Sequence, residues 1–437
     1  MGNSKNQLKR EIGLWGLSAN LVNIMVGAGI FALPAIIAAD LGFSSLYAYL
    51  LCGVLISLVM LCFAEIGSKI TSSGGAYSYI QSSFGPYFGF LTAIFFVLAS
   101  AGADAAVINA IADIIASKFP LFELIGVRIV FFLVTFTSLA LLNVKGVRKG
   151  AGLVNVITLA KLVPLLLLAI FSWGGVSSEN LVVGSIPSLG EIGPVVLVLF
   201  FAFQGAECGL SVSGEVKNPV QNIPKAIIVS ILGVLLLYII IQTVSLGVLG
   251  EDLGNFQKNT LGEVAGKVFG PIGFILMTVG AGISMFGLLT SSILSMPRVL
   301  FQASKDKVIP FEILSKVHPR YITPFVAIVV YASCGFIFAS SGSFKQLAIV
   351  SSASMLLIYF GVCLSVIKSR ISSKDIAYSK PHFKLPGGYL IPILAMLIII
   401  WLLFNLTAKE AIGIALFLLI LTLFYFIRAR WLRRSGI

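Results

Sequence analysis

The chain has 437 residues, of which 58% are hydrophobic and only 11% are charged. About a quarter of the residues in a soluble domain are charged, so the composition excludes a soluble protein and indicates an integral membrane protein. The net charge is +13. The positive residues are concentrated in particular loops, which indicates membrane topology and not nucleic-acid binding.

Apolar segments follow one another along the whole chain and leave no room for a soluble domain. Each is long enough to cross a bilayer as a helix, which takes about 20 residues. We therefore predict an all-α integral membrane protein with twelve transmembrane helices. The predicted segments are 12–39, 43–68, 84–117, 125–143, 150–173, 188–214, 222–249, 269–303, 321–340, 345–368, 389–407 and 410–428. Between segments eight and nine, alternating charged and apolar residues from Lys305 to Pro319 predict a short amphipathic helix at the membrane surface.

The loop charges predict the orientation of these helices. An even number of crossings puts both termini on one side, and 23 of the 30 Lys and Arg residues fall on that side. Six fall on the other side, and Lys161 lies inside a segment. The positive-inside rule therefore predicts that residues 1–11 and 429–437 are cytoplasmic, in a plasma membrane or bacterial inner membrane.

The first apolar segment contains a glycine pair where it would cross the bilayer centre. Gly27 and Gly29 flank Ala28 within the sequence NIMVGAGIFALP at 23–34. Glycine weakens a helix and allows another backbone or a ligand to approach closely. One interpretation is close helix packing, for which small residues are common in membranes. The other is a broken helix whose freed amides bind a ligand in an enclosed cavity.

The sixth segment has a second glycine pair at mid-helix, Gly205 and Gly209, with Glu207 between them. Breaks in segments one and six, five segments apart, are expected of two inverted five-helix repeats around a central site. We assign the repeats to residues 12–173 and 188–368, followed by two further helices within 389–428.

Three ionisable residues lie deep in apolar segments: Asp104, Lys161 and Glu207. A charge at the bilayer centre costs at least about 2.5–3.5 kcal/mol, so each needs a partner or a function. The alternatives are a structural pair or hydrogen-bond network and a role in binding, gating or proton transfer.

The order and spacing of several motifs resemble the amino acid–polyamine–organocation (APC) superfamily of transporters. The motifs are VGAGIF at 26–31 with Pro34, GGAYSY at 74–79 through FGP at 84–86, FAFQGAE at 201–207, EVKNP at 215–219, IPKAI at 223–227, PRVLF at 297–301 leading to residues 309–310, and PHFKLPGG at 381–388. The resemblance covers nearly the whole chain. It implies the LeuT-type fold, with helices 1 and 6 broken at mid-membrane.

The resemblance also implies roles for individual residues. Amides around Ala28 and Gly29 would bind the substrate carboxylate, which suits a helix N-terminus. Carbonyls of Met25, Phe201 and Gln204 would take the substrate ammonium. The candidate substrate residues are Met25, Gly27, Ala28, Gly29, Ser100, Asp104, Phe201, Phe203, Gln204, Gly205, Leu288 and Ser352. Lys161 would replace a sodium ion, Phe201 would gate outward access, and Glu207 would act in coupling or gating.

We therefore expect a sodium-independent amino acid transporter that works by alternating access, as an exchanger or a proton symporter. The partners would be an amino acid and the lipid bilayer, and no enzyme activity, cofactor, metal or nucleic acid is expected. Oligomeric state is left open. The apolar neighbours Phe203 and Leu288 favour neutral substrates. The alternative is a cationic amino acid or polyamine read by Asp104, which stands where arginine/agmatine antiporters carry an uncharged amide. Other rivals are an amino acid channel or receptor and a nucleobase carrier.

Overall fold

The computed structural model describes residues 12–70, 75–146, 151–181, 186–209, 216–309, 311–371 and 383–434. The predicted cytoplasmic N-terminus 1–11 and residues 435–437 lie outside the described residues. So do five residues of the sequence motifs: Gly74, Glu215, Pro310, Pro381 and His382.

The described residues form fifteen α-helices. They are α1 (Leu14–Met25), α2 (Ala28–Leu41), α3 (Ser45–Lys69), α4 (Gly75–Phe84), α5 (Pro86–Ala116), α6 (Ile125–Val144), α7 (Ala151–Phe171), α8 (Leu189–Leu199), α9 (Ala206–Gly209), α10 (Pro219–Leu249), α11 (Thr260–Lys305), α12 (Phe325–Ser341), α13 (Phe344–Ile371), α14 (Leu390–Leu403) and α15 (Ala408–Arg434). This confirms the prediction of an all-α membrane protein. In these ranges nine helical spans are long and apolar enough to cross a membrane, and three apolar helices are shorter. The count of twelve crossings stays a prediction.

Both predicted helix breaks are present. The first lies between α1 and α2, where Val26 and Gly27 are extended and no side chain caps the start of α2. The second follows α8, where a 3₁₀ turn (Phe200–Phe203) leads to Gly205 with a φ of +109° before α9 begins. This φ lies in the left-handed region that favours glycine.

The two breaks are packed against each other through Gly29. A Cβ atom added at Gly29 would lie 2.5 Å from the Cβ of Ala202 and 2.6 Å from its Cα. Real carbon atoms do not approach so closely, so the start of α2 reaches the 3₁₀ turn only because residue 29 is glycine. Close packing, one of the two interpretations of the glycine pair, therefore holds at this position.

The structure differs from the prediction on either side of α11. This helix begins at Thr260, ahead of the predicted segment 269–303, and bends at Gly270, whose φ is +69°. The prediction of an amphipathic helix from Lys305 to Pro319 is wrong. Lys305 is the last residue of α11, and the described residues after it contain only a 3₁₀ turn, Glu312–Ser315. Lys307 has a φ of +57°, which cannot continue a right-handed helix.

A buried ionic cluster joins α3, α13 and the loop before α14. The Glu65 side chain is fully buried and accepts hydrogen bonds from Lys69 at 3.0 Å and Arg370 Nε at 2.9 Å. The main-chain N–H of Leu385 adds a third hydrogen bond, at 2.9 Å. Sequence reasoning missed this cluster, because Glu65 lies one turn from a helix end and resembles an interfacial residue.

Candidate functional site

A cavity of about 360 Å³ lies between the two helix breaks. Of the residues predicted for substrate binding, coupling or gating, twelve line it: Met25, Gly27, Ala28, Gly29, Ser100, Asp104, Lys161, Phe201, Gln204, Gly205, Glu207 and Leu288. Cavities of this size are typical of small-molecule sites. Phe203 and Ser352 are not part of its lining.

The ends of two half-helices face this cavity with opposite polarity. Met25 ends α1, where backbone carbonyls carry the negative end of the helix dipole. Ala28 begins α2, whose first N–H groups have no intrahelical partner and carry the positive end. The cavity thus presents electron-rich carbonyls and free amide donors a few residues apart, as a zwitterion requires.

The ammonium of Lys161 is bound to the end of α1. It donates a hydrogen bond to the main-chain carbonyl of Asn23, and the lysine is only 3% exposed. One turn earlier on α7, the Thr158 hydroxyl donates to the Asn23 side-chain oxygen at 3.1 Å. A buried positive charge is therefore bound to one carbonyl near the end of the first half-helix, that of Asn23.

Tyr238 on α10 connects the two breaks and does not line the cavity itself. Its hydroxyl lies 3.0 Å from the Met25 carbonyl oxygen and 3.0 Å from the Ala202 carbonyl oxygen. The ring is fully buried. One hydroxyl proton is shared between both broken segments, which holds their ends at a fixed separation.

The 3₁₀ turn determines which aromatic residues reach the cavity. Side chains three residues apart eclipse one another in this helix type. Phe201 and Gln204 therefore both face the cavity, whereas Phe200 and Phe203 are fully buried on other sides. The prediction that Phe203 contacts substrate finds no support in this geometry. Its ring packs edge-on against Tyr238, with centroids 5.1 Å apart.

Two serines of α13 hold the Gln204 side chain. The Ser351 hydroxyl donates to the Gln204 side-chain oxygen at 3.1 Å, and the Gln204 amide donates to the Ser352 hydroxyl at 3.0 Å. Ser352 therefore lies behind the cavity lining and positions Gln204 instead of facing the cavity itself.

Glu207 is bound to the second break. Its carboxylate accepts the main-chain N–H of Gly205 at 3.0 Å and the Tyr359 hydroxyl at 2.5 Å. The residue is 6% exposed. A carboxylate near the start of a half-helix stabilises the positive dipole end, so in this structure Glu207 orients the backbone after the break.

Asp104 on α5 also lines the cavity. It is 4% exposed, and its Oδ2 accepts the Tyr331 hydroxyl at 2.7 Å. Ser292 of α11 lies 3.1 Å from the same tyrosine oxygen and donates to it, because the tyrosine proton is directed at Asp104. The carboxylate is thus engaged by a network that joins three helices.

Sequence reasoning missed several polar residues of the cavity. Asn23 and Thr158 flank the Lys161 contact, and serines of α11 form a stripe at positions 284, 291, 292 and 295. Their spacing of seven, eight and eleven residues places them on one helix face. That spacing is a usable signal, but serine is common in membrane helices and lies outside the recognised motifs.

An aromatic pair separates the central cavity from a second cavity of about 950 Å³. Phe201 lines the first and Phe344 the second, and their rings meet edge-on with centroids 5.6 Å apart. Lys345 and Asp113 also line the second cavity. Lys345 lies at the start of α13 and Asp113 near the end of α5, on the side to which the sequence assigns only six Lys and Arg residues.

Comparison with known proteins identifies amino acid transporters as relatives of this chain. A family model described as "Amino acid permease" matches residues 12–427. The serine/threonine exchanger SteT of Bacillus subtilis is 30% identical over 88% of this chain and 89% of its own length. The branched-chain amino acid permease BcaP of the same organism is 25% identical over 98% and 94%. The b(0,+)-type amino acid transporter 1 of Rattus norvegicus is 27% identical over 98% and 90%.

Proposed function

The chain belongs to the amino acid permease family, and from this premise we propose that it is a sodium-independent secondary transporter preferring neutral amino acids. It works by alternating access, as an exchanger or a proton symporter. Its family consists of transporters and not of enzymes.

The observation that carries this proposal is the pair of half-helix ends at one cavity. The amides of Ala28 and Gly29 suit an α-carboxylate, and the carbonyls near Met25 and Gln204 suit an α-ammonium. A nucleobase lacks this pair of charges. The same cavity lies between breaks in two helices, where alternating access needs the bound molecule to contact both moving parts.

Sodium independence is supported by the contact between Lys161 and Asn23. A sodium ion in such a site would be coordinated by carbonyl oxygens at the end of a half-helix. The lysine ammonium already supplies a positive charge to one of these carbonyls, so a metal cation at the same place would be repelled.

A preference for neutral substrates is supported by the surroundings of Asp104. Its carboxylate accepts from Tyr331, and the cavity around it includes Leu288, Met296 and Phe96. A substrate with a cationic side chain would have to compete with the tyrosine and lie among apolar groups, which costs free energy unless a new ion pair forms.

A cationic substrate is the second candidate, because Asp104 lines the cavity and could accept a charge-assisted hydrogen bond. Such a bond contributes about 1.5–3 kcal/mol. One relative is named for such substrates. The arginine/ornithine antiporter of Pseudomonas aeruginosa is 28% identical over 69% of this chain and 65% of its own length.

Orientation and internal repeats belong to the same proposal. The distribution of Lys and Arg supports cytoplasmic termini in a plasma or bacterial inner membrane. The positions of the two breaks, after α1 and after α8, support two inverted repeats over 12–173 and 188–368 with two added helices at 389–428.

A thermal-shift screen of the purified chain tests the substrate class. We expect small and medium neutral amino acids to raise the melting temperature, and arginine, lysine, agmatine and putrescine to leave it unchanged. Ala28→Leu should fold and lose the shift, because its side chain would fill the carboxylate subsite. Leu397→Ala, on the exposed face of α14, is the matched control and should keep the shift. If Ala28→Leu kept the wild-type increase in melting temperature, the first break would not be part of the substrate site.

A further inference from the structure

An apolar groove of about 270 Å³ lies on the lipid-facing side of α13, away from the substrate cavity. Its walls come from α4, α5, α13 and α15. Phe84, Phe88, Leu357, Gly361, Leu364 and Leu418 are among the residues that line it. Phe88 is 45% exposed, so the groove is open towards the surrounding bilayer.

The groove and Lys368 together span about one leaflet. The α13 residues that line the groove run from Leu357 to Leu364, about 10 Å at 1.5 Å per residue, and Lys368 lies one turn further on, about 16 Å from Leu357. Half of a bilayer's hydrocarbon core is about 15 Å thick. An acyl chain lying along the groove would therefore have its carboxyl end near Lys368.

A cation stands at this end of the groove. The Lys368 ammonium lies over the ring of Phe84, 4.8 Å from its centroid, and Phe84 itself lines the groove. Two neighbouring cations, Lys69 and Arg370, are engaged by Glu65. No ion pair formed within the described ranges includes Lys368, and the residue is exposed, so its charge is accessible at this end of the groove.

We propose that this groove and Lys368 together bind one anionic glycerophospholipid from the leaflet on the side of Lys368. The acyl chain lies between α5 and α13, and the phosphate pairs with the lysine ammonium. A basic residue next to an apolar groove between membrane helices suits such a headgroup. A zwitterionic lipid has the same chains but adds a positive group beside Lys368, so it binds more weakly.

Occupancy of the groove would support the helix that positions the second break. Leu357, Gly361 and Leu364 face the groove, whereas Ser351, Ser352 and Tyr359 of the same helix bind Gln204 and Glu207. A lipid packed behind α13 therefore stabilises the side of the fold on which the Gln204 and Glu207 contacts depend.

The test compares two lipids with identical chains on the purified, delipidated full-length protein. Mixed micelles contain dioleoyl phosphatidylglycerol or dioleoyl phosphatidylcholine, and the melting temperature is measured for each. We expect the anionic lipid to raise it more in the wild type. Lys368→Gln should abolish this difference and Lys368→Arg should keep it. Lys316→Gln, at an exposed lysine that does not line the groove, is the charge-matched control and should behave as the wild type.

A second measurement counts retained lipid by native mass spectrometry of the folded fraction. Wild type and Lys316→Gln should retain one more phosphatidylglycerol than Lys368→Gln. Leu364→Trp, which fills the groove, should lose the same molecule while keeping the lysine. Equal temperature shifts for the two lipids in the wild type would overturn the proposal. Equal retention in Lys368→Gln and Lys316→Gln, or in Leu364→Trp and the wild type, would overturn it as well.

Discussion

Lys161 donates its ammonium hydrogen bond to the main-chain carbonyl of Asn23, one turn before the first helix break. The contact joins α7 to the end of α1, so any movement of the half-helix must either carry α7 with it or break the bond. A charge-assisted hydrogen bond in a buried place contributes about 1.5–3 kcal/mol. This relationship supports the proposal that Lys161 acts in coupling and does not bind substrate directly.

Removing this contact should slow transport more than it weakens binding. In Lys161→Ala we expect the maximal exchange rate to fall about tenfold or more, since about 1.4 kcal/mol corresponds to a factor of ten. The substrate dissociation constant should change by less than this factor. Initial exchange rates in proteoliposomes and thermal-shift titrations give the two quantities. Lys409→Ala, an exposed lysine at the start of α15, should leave both unchanged. Loss of binding with an unchanged rate at saturation would contradict the coupling role.

Sodium should not drive accumulation, because the Lys161 ammonium already occupies the Asn23 carbonyl, where the ion would bind. Proteoliposomes with an inward sodium gradient and with an equal choline gradient should take up a neutral amino acid at the same rate and to the same level. Accumulation above the equilibrium level with sodium alone would disprove the assignment of Lys161 as the replacement for the ion.

Gly29 should be intolerant of even one added methyl group. Gly29→Ala places a Cβ 2.5 Å from that of Ala202, and overpacking of this kind costs about 1–3 kcal/mol. We expect a lower melting temperature and slower transport. Gly282→Ala on α11 is the matched control, because a Cβ there meets nothing within 4 Å. Its melting temperature should stay the same or rise, since alanine favours helix over glycine. Equal effects of the two changes on melting temperature and transport would contradict a tight contact between Gly29 and Ala202.

Asp104→Asn separates the two substrate classes. The asparagine oxygen can still accept from Tyr331, so the network and the fold should persist. We expect exchange of neutral amino acids to continue, while any pH-driven accumulation is lost because the side chain no longer carries a proton. Uptake is measured with and without a pH gradient, and Asp252→Asn on an exposed turn serves as control. Tight binding of arginine or lysine by the wild type, without binding of alanine, would favour the cationic candidate.

The two helix breaks could be predicted from sequence because glycine pairs occur at mid-helix in segments one and six, the positions expected of two inverted repeats. Gly27, Gly29 and Gly205 each occupy a place where a side chain would collide or where φ is positive. The deep ionisable residues were equally visible, since a charge in hydrocarbon needs a partner or a function. Asp104, Lys161 and Glu207 all line the cavity.

The orientation of individual side chains could not be predicted, because it depends on helix type at the break. A 3₁₀ turn at residues 200–203 directs Phe203 to Tyr238 and leaves Gln204 at the cavity. An ordinary α-helix would rotate these positions differently. The partner of a buried charge is also invisible in sequence. Tyr331 and Asp104 are far apart in the chain, and only the packing of α12 on α5 brings them together.

Counterflow in sodium-free proteoliposomes tests the central claim most directly. Vesicles containing the protein are loaded with an unlabelled neutral amino acid that gave a thermal shift, then diluted into a trace of the labelled compound. A carrier with one alternating site must accumulate label transiently above the equilibrium level, and Ala28→Leu vesicles must not. Simple equilibration of label without an overshoot would indicate a channel, and absence of any uptake would indicate a receptor; either result would contradict the account.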